Sequence, residues 1–119
     1  MSQLARLDIE ERDDVVVARI AGELDLSNVH DIGDALTASM QGGATGLVLD
    51  LSSLDHLDSA GIRLLYDLRT RLGTARQGLA AVVPPDAPIR EVLDLAAVPA
   101  SLPLYPGLDD AVASARATT

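Results

Sequence analysis

One serine of this chain stands where a covalent modification is physically well tolerated. The stretch Leu47–Leu65 runs from an apolar segment through the acidic Asp55–Asp58 to Ser59, where a helical pattern begins. A helix N-terminus carries unsatisfied N–H groups and partial positive charge, so it accommodates a phosphate dianion. Two compatible interpretations follow. Asp58 or Ser59 caps the helix, and Ser59 accepts a phosphoryl group.

A catalytic role for Ser59 is disfavoured. A nucleophilic serine needs a base within hydrogen-bonding reach, and the chain has only two histidines, His30 and His56. His56 lies in the acidic segment three residues before Ser59, and Gly-x-Ser-x-Gly does not frame the serine. We therefore predict no catalytic residues and no enzyme. A hydrolase that uses Ser59 and His56 is the least favoured class.

The acidic segment is interpreted as a solvated loop rather than a metal site. Asp55, His56 and Asp58 have no further ligands at a recognisable spacing, although Asp25 and Asp50 can join them in space as weak cation ligands. The glycines form no Gly-x-Gly-x-x-Gly, and the absence of lysine excludes a Walker motif. We predict no metal and no cofactor.

Charge and composition exclude several partners. The formal net charge is −9, and all nine basic residues are arginines. Such a surface repels nucleic acid and suits a basic protein partner. The chain has no cysteine, no secretory signal and no apolar run near the ~18 residues that span a membrane. We expect a cytoplasmic protein, a monomer or weak dimer, without membrane insertion.

Apolar periodicity places these residues on an α/β domain of residues 1–119. The predicted strands are Leu4–Glu11, Val15–Ile20, Gly46–Leu51, Gly78–Val83 and Leu102–Tyr105. The predicted helices are Asn28–Met40 capped by Ser27, Ser59–Leu72 with Gly73 as C-cap, Ala87–Ala97 and Asp109–Ala117. This order predicts a mixed, mostly parallel sheet of four to five strands, with an N-terminal antiparallel hairpin and about four helices.

The helix that begins at Ser59 carries further candidates on one stripe. Ile62 and Tyr66 either form an exposed binding patch beside Ser59 or lie at the margin of the core. Arg63 follows Ser59 by one turn. It either steadies a phosphate or pairs with Asp67 at i+4.

Two short motifs, together with the order of elements, resemble a known family. Gly22-Glu23-Leu24-Asp25 follows a predicted strand, and Asp58-Ser59-Ala60-Gly61 opens a predicted helix. In this order and separation they resemble the STAS domain of bacterial anti-sigma-factor antagonists, over nearly the whole chain. Ala60 and Arg63 depart from that pattern, because many members have a second hydroxyl residue and a small residue there.

The resemblance implies a regulated binding protein. Such proteins bind an anti-sigma factor, usually a serine kinase of the histidine-kinase-like ATPase fold, and so free a sigma factor. The kinase phosphorylates the motif serine, which abolishes binding, and a phosphatase resets the switch. Carried over, Ser59 matches the phosphoacceptor. The expected partner-binding residues are Asp25, Asp58, Ser59, Gly61, Ile62, Arg63 and Tyr66. The alternative is a STAS assembly module, in a stress-sensing complex or lipid-transport machinery, without control by phosphate.

Overall fold

A six-stranded sheet lies between two unequal helical layers in a computed structural model that describes residues 5–117. The strands are β1 (Ala5–Arg12), β2 (Val15–Leu24), β3 (Gly46–Asp50), β4 (Leu54–Leu57), β5 (Gly78–Val82) and β6 (Leu104–Tyr105). The helices are α1 (Val29–Ser39), α2 (Ser59–Thr74), α3 (Arg90–Leu95) and α4 (Leu108–Ala117). The predicted α/β class with an N-terminal antiparallel hairpin is confirmed.

The strand order places the start of α2 at the carboxyl edge of the sheet. β1 pairs with β2 antiparallel, and the path β2-β3-β5-β6 is parallel throughout. The first half of β2 pairs with β3, and its last residues pair with β4, which leads directly into α2. Ligands and partners of open parallel sheets usually meet the protein at this edge.

The core has two parts of different size. A large aliphatic cluster fills the space between the sheet and the layer of α1, α2 and α3. A smaller cluster lies under α4 on the other face. There Gly46 and Gly78 let the α4 backbone approach closely, since a Cβ at either glycine would stand 2.6 or 2.1 Å from the Ala115 carbonyl oxygen.

Two predicted loops prove to be strands, and both border the start of α2. β2 does not end at Ile20 but continues to Leu24 through a register shift at Gly22, whose φ is 92°. The acidic segment contains β4, because it pairs in parallel with the end of β2. Leu54 and Leu57 are buried, and Asp55 and His56 between them are exposed. The sheet therefore has six strands within residues 5–117, where four to five were predicted.

Several predicted boundaries shift. Asn28, not Ser27, precedes the first residue of α1, and it makes no side-chain cap bond. α2 passes through Gly73 and ends at Thr74, and α3 is limited to Arg90–Leu95 behind a turn-rich, proline-containing segment. Leu4 lies outside the described residues. Among those residues, no helix combines the length and apolar character needed to cross a bilayer.

The β1–β2 turn has two residues, whereas the predicted strands, which end at Glu11 and resume at Val15, leave three between them. Arg12 pairs with Val15, so only Asp13 and Asp14 form the turn. Both have positive φ, 52° and 70°, as a two-residue type I′ hairpin requires. The Arg116 guanidinium lies 3.3 Å from the Asp13 carboxylate and ties this turn to α4.

Candidate functional site

Ser59 is exposed at the first position of α2, directly after β4 and Asp58. Asp58, not Ser59, caps the helix: its Oδ1 accepts a hydrogen bond from the Gly61 N–H at 3.0 Å. Within residues 5–117 the Ser59 hydroxyl makes no hydrogen bond to another group. The cap therefore leaves this hydroxyl free at a helix N-terminus.

Asp58 also joins the two sequence motifs. Its Oδ2 accepts from the Leu26 N–H at 3.3 Å, and its own N–H donates to the Leu24 carbonyl at 3.3 Å. The loop between β2 and α1 is thereby held against the start of α2. The first motif and the residue that follows it thus meet Asp58 through its backbone and its carboxylate, and Leu26 and Asp58 stand 32 residues apart in the chain.

Asp25 organises the loop between β2 and α1. Its Oδ1 accepts from the Ser27 N–H at 2.9 Å and from the Ser27 hydroxyl at 2.5 Å. Asn28 completes this network although it is only 1% exposed. Its Oδ1 accepts from the Asp25 N–H at 3.0 Å, and its Nδ2 donates to the Glu23 carbonyl at 2.9 Å. Sequence reasoning missed Asn28, whose signal is a polar residue directly before a helix with an apolar face.

Gly61 is buried and faces its own fold. A Cβ there would lie 2.4 Å from Leu57 Cδ1 and 3.0 Å from the Leu24 carbonyl oxygen. The missing side chain at Gly61 therefore allows α2 to pack closely against the adjoining strands. Gly61 therefore affects a partner only indirectly, through the position that it allows α2 to take.

Ser59 lies at the edge of a groove between the N-terminal halves of α1 and α2, called here the α1–α2 groove. It has a volume of about 420 Å³. Its lining residues are Leu26, Val29, His30, Asp58, Ser59, Ala60, Arg63, Leu64 and Asp67. Leu26 is 69% exposed and offers apolar surface at its rim. The groove brings together Asp58, Ser59 and Arg63 from the predicted set, and it adds His30, which the sequence suggested only as a possible base.

Ile62 and Tyr66 do not line this groove. Both are half-buried and pack against the main core, and the Tyr66 hydroxyl donates to the Ala96 carbonyl at 2.9 Å. Of the two alternatives predicted for Ile62 and Tyr66, an exposed patch or the margin of the core, the structure shows the second. The hydrogen bond of Tyr66 holds the segment that follows α3.

The remaining polar candidates are dispersed. His56 lies in β4 opposite Glu23. Asp50 accepts hydrogen bonds from Arg19 Nε and from the Ser52 N–H, both at 3.1 Å, and it shares no partner with Asp25. In the part of the chain that the structure describes, no three His, Cys, Asp or Glu side chains are grouped to hold a metal ion. No histidine there hydrogen-bonds Ser59.

Comparisons with known proteins agree with this architecture. The STAS domain family model matches residues 6–111. An anti-sigma factor antagonist from Mycobacterium paratuberculosis is 30% identical, with 94% of each chain covered and a TM-score of 0.83. Unphosphorylated SpoIIAA shares the fold at 21% identity, with 96% of this chain and 99% of that chain covered and a TM-score of 0.75. Bacillus SpoIIAA in its phosphorylated form gives 21% identity, 91% and 97% coverage, and a TM-score of 0.67.

Proposed function

Since this chain belongs to the STAS domain family, we propose that it is an anti-sigma-factor antagonist that acts by binding and not by catalysis. Its partner is an anti-sigma factor with serine kinase activity and the histidine-kinase-like ATPase fold. Binding releases a sigma factor, and phosphate on Ser59 ends binding. A phosphatase restores the free hydroxyl. We place this exchange in the bacterial cytoplasm.

The observation that carries the proposal is the free hydroxyl of Ser59 at an exposed, capped helix start. A serine that is exposed and makes no hydrogen bond within residues 5–117 is open to a kinase active site. Asp58 satisfies the cap without it. Modification of Ser59 therefore leaves the local fold intact, and its effect falls on the binding surface.

The covalent step moves one phosphoryl group from ATP held by the kinase. A bond forms between Ser59 Oγ and the γ-phosphorus, the bond from that phosphorus to the ADP oxygen breaks, and the hydroxyl proton leaves to the kinase. The product carries about −1.5 to −2 additional charges at the edge of the α1–α2 groove. A partner surface seated there loses contact through steric and charge conflict, and each ~1.4 kcal/mol lost weakens binding tenfold.

Two features support this partner. The Mycobacterium paratuberculosis relative is an anti-sigma factor antagonist, and SpoIIAA of the same fold has been solved with and without phosphate. The net charge of −9 favours a basic docking surface. We propose that the partner contacts Leu26, Ser59 and Arg63 directly. Asp25, Asp58 and Gly61 set the positions of these contacts, and the exposed parts of Ile62 and Tyr66 border them.

Affinity capture from native cell extract, followed by mass spectrometry, tests the proposal. The baits are wild type, Ser59→Ala, Ser59→Asp and Ser53→Asp, in which Ser53 is an exposed serine at the opposite end of β4. We expect wild type, Ser59→Ala and Ser53→Asp to capture a kinase-fold partner, and Ser59→Asp to capture at least tenfold less of it. We also expect phosphate on Ser59 of the recovered wild-type bait. Equal capture by all four baits, with Ser59 unmodified, would refute the switch.

The alternative is a constitutive assembly module. Its expected interface was the patch of Ile62 and Tyr66, yet both pack against the core and the Tyr66 hydroxyl is satisfied within the chain. Stable recovery of a transporter ATPase or a multiprotein stress complex on all four baits would favour that function.

A further inference from the structure

Arg63 lines the α1–α2 groove and makes no ion pair within residues 5–117. In the described part of the chain, seven of the nine arginines bind a carboxylate, a hydroxyl or a carbonyl group: Arg6, Arg12, Arg19, Arg69, Arg71, Arg90 and Arg116. Arg63 and Arg76 make no such bond there, and Arg63 makes none even with Asp67, which stands at i+4 and lines the same groove. Arg63 is exposed, and its guanidinium is therefore available to an anion placed beside it.

Helix geometry places Arg63 one turn after Ser59 on the same face of α2. Residues four apart lie on one helix face with their Cβ atoms about 5–6 Å apart. Helical Cα–Cβ bonds tilt toward the N-terminus, so the Arg63 side chain leans back over the turn that begins with Ser59. Both residues line the α1–α2 groove.

His30, on α1, is the second nitrogen-containing side chain that can face an anion on Ser59, and it lies on the opposite wall of the groove. It is exposed and makes no ion pair within residues 5–117. The other charged groups of the groove are Asp58 and Asp67. Asp58 has one oxygen on the Gly61 N–H and the other on the Leu26 N–H, and Asp67 stands one turn beyond Arg63, away from Ser59. Besides the N–H groups of the helix start, the side chains of the groove that can meet an anion on Ser59 are therefore Arg63 and His30.

We propose that the phosphoryl group on Ser59 is bound within the same chain by Arg63 and His30 and thereby closes the α1–α2 groove. The planar guanidinium of arginine matches phosphate oxygens in a bidentate fork. Phosphorylation then removes a concave surface and a free cation from the partner at once. This inference rests on the proposed modification of Ser59.

The test uses phosphoserine incorporated at position 59 during translation, so that no kinase is needed. ³¹P NMR follows the pH at which the phosphate passes from monoanion to dianion, ordinarily near ~6. We compare the otherwise unchanged protein with Arg63→Gln, His30→Gln and Arg76→Gln. Arg76 is the matched control: it is also unpaired within residues 5–117, and it lies beyond the far end of α2, whose 16 residues span about 24 Å at about 1.5 Å per residue.

A bound cation favours the dianion, so we expect a midpoint about half a unit lower with Arg63 present than in Arg63→Gln. His30→Gln is expected to raise the midpoint by a smaller amount, and Arg76→Gln to leave it unchanged. The Arg63 Nε–H resonance should also shift and exchange more slowly with solvent when Ser59 carries phosphate. A change with Arg63→Gln but none with His30→Gln would remove His30 from the site.

Equal midpoints in the parent and Arg63→Gln would overturn the proposal, because a phosphate held by the helix N-terminus alone does not depend on Arg63. Failure of this phosphate-binding site can be distinguished from failure of the proposed function. If no kinase modifies Ser59 in the cell, the function is wrong while the titration still reports on the site. If the kinase modifies Ser59 and the titration is insensitive to Arg63, only the intramolecular site is wrong.

Discussion

At the scale of single residues, Asp58 makes the arrangement around Ser59 possible. One carboxylate caps α2 through Gly61 and holds the β2–α1 loop through Leu26, so the neighbouring serine has no structural duty. The sequence left the cap between Asp58 and Ser59, because both residue types are good caps. In the structure Asp58 is the cap, because its backbone is extended, at φ −96° and ψ −174°, as a residue directly before a helix requires.

Substitution of Asp58 should separate capping from charge. We expect Asp58→Ala to lower the free energy of unfolding by about 1–2 kcal/mol, because the Gly61 and Leu26 N–H groups lose their acceptor. Asn caps as well as Asp, so Asp58→Asn should stay within about 0.5 kcal/mol of wild type. Urea denaturation measures both. A loss in Asp58→Asn equal to that in Asp58→Ala would mean that charge, and not capping, holds this junction.

At the scale of elements, α4 is attached to the sheet by direct backbone approach. Gly46 on β3 and Gly78 on β5 face the carbonyl of Ala115, and the small cluster around this contact is separate from the main core. The helix that contains Ser59 lies on the other face and relies on aliphatic packing. The contacts that hold α4 are therefore distinct from those that hold α2.

A pair of glycine substitutions tests this attachment. Gly78→Ala places a Cβ 2.1 Å from the Ala115 carbonyl oxygen, and a backbone atom cannot turn aside as a side chain can. We expect a loss of about 1–3 kcal/mol in the free energy of unfolding. Gly73→Ala is the matched control, since it lies inside α2 with nothing within 4 Å, and it should gain about 0.5–1 kcal/mol. Thermal unfolding would contradict this view if Gly78→Ala were neutral.

At the scale of the whole molecule, charge sets the kind of partner. The formal net charge is −9, and most of the arginines are engaged in bonds within the chain. The acidic residues therefore dominate the field at the surface. A basic protein is attracted to such a surface and a nucleic acid is repelled.

The affinity for the anti-sigma partner should consequently depend on salt. We expect the Kd, measured by calorimetry, to rise about tenfold or less between 50 and 300 mM NaCl, as the Debye length shortens from about 14 to about 6 Å. Double-stranded DNA at 50 mM NaCl is the control and should show no binding. A Kd that is unchanged by salt would indicate an apolar interface centred on residues such as Leu26.

Local patterns in the chain were enough for the fold class and for the position of Ser59. Apolar runs and helical periodicity identify β3, β5, α2 and α4, because each of these elements shows its buried face within a few residues of sequence. The family motifs add the likeness to STAS domains, which the match over residues 6–111 confirms.

Contacts between distant parts of the chain were decided only by the tertiary structure. The sequence of β4 resembles an acidic loop, and only its pairing with β2 makes it a strand. The sequence also allows Tyr66 to be an exposed binding residue, but its hydroxyl donates to the Ala96 carbonyl. The α1–α2 groove exists because Asp58 holds the loop that precedes α1, which carries His30 to the same place as Ser59 and Arg63. Sequence periodicity reports which face of an element is buried. It does not report which other element covers that face, and the site is built from such pairings.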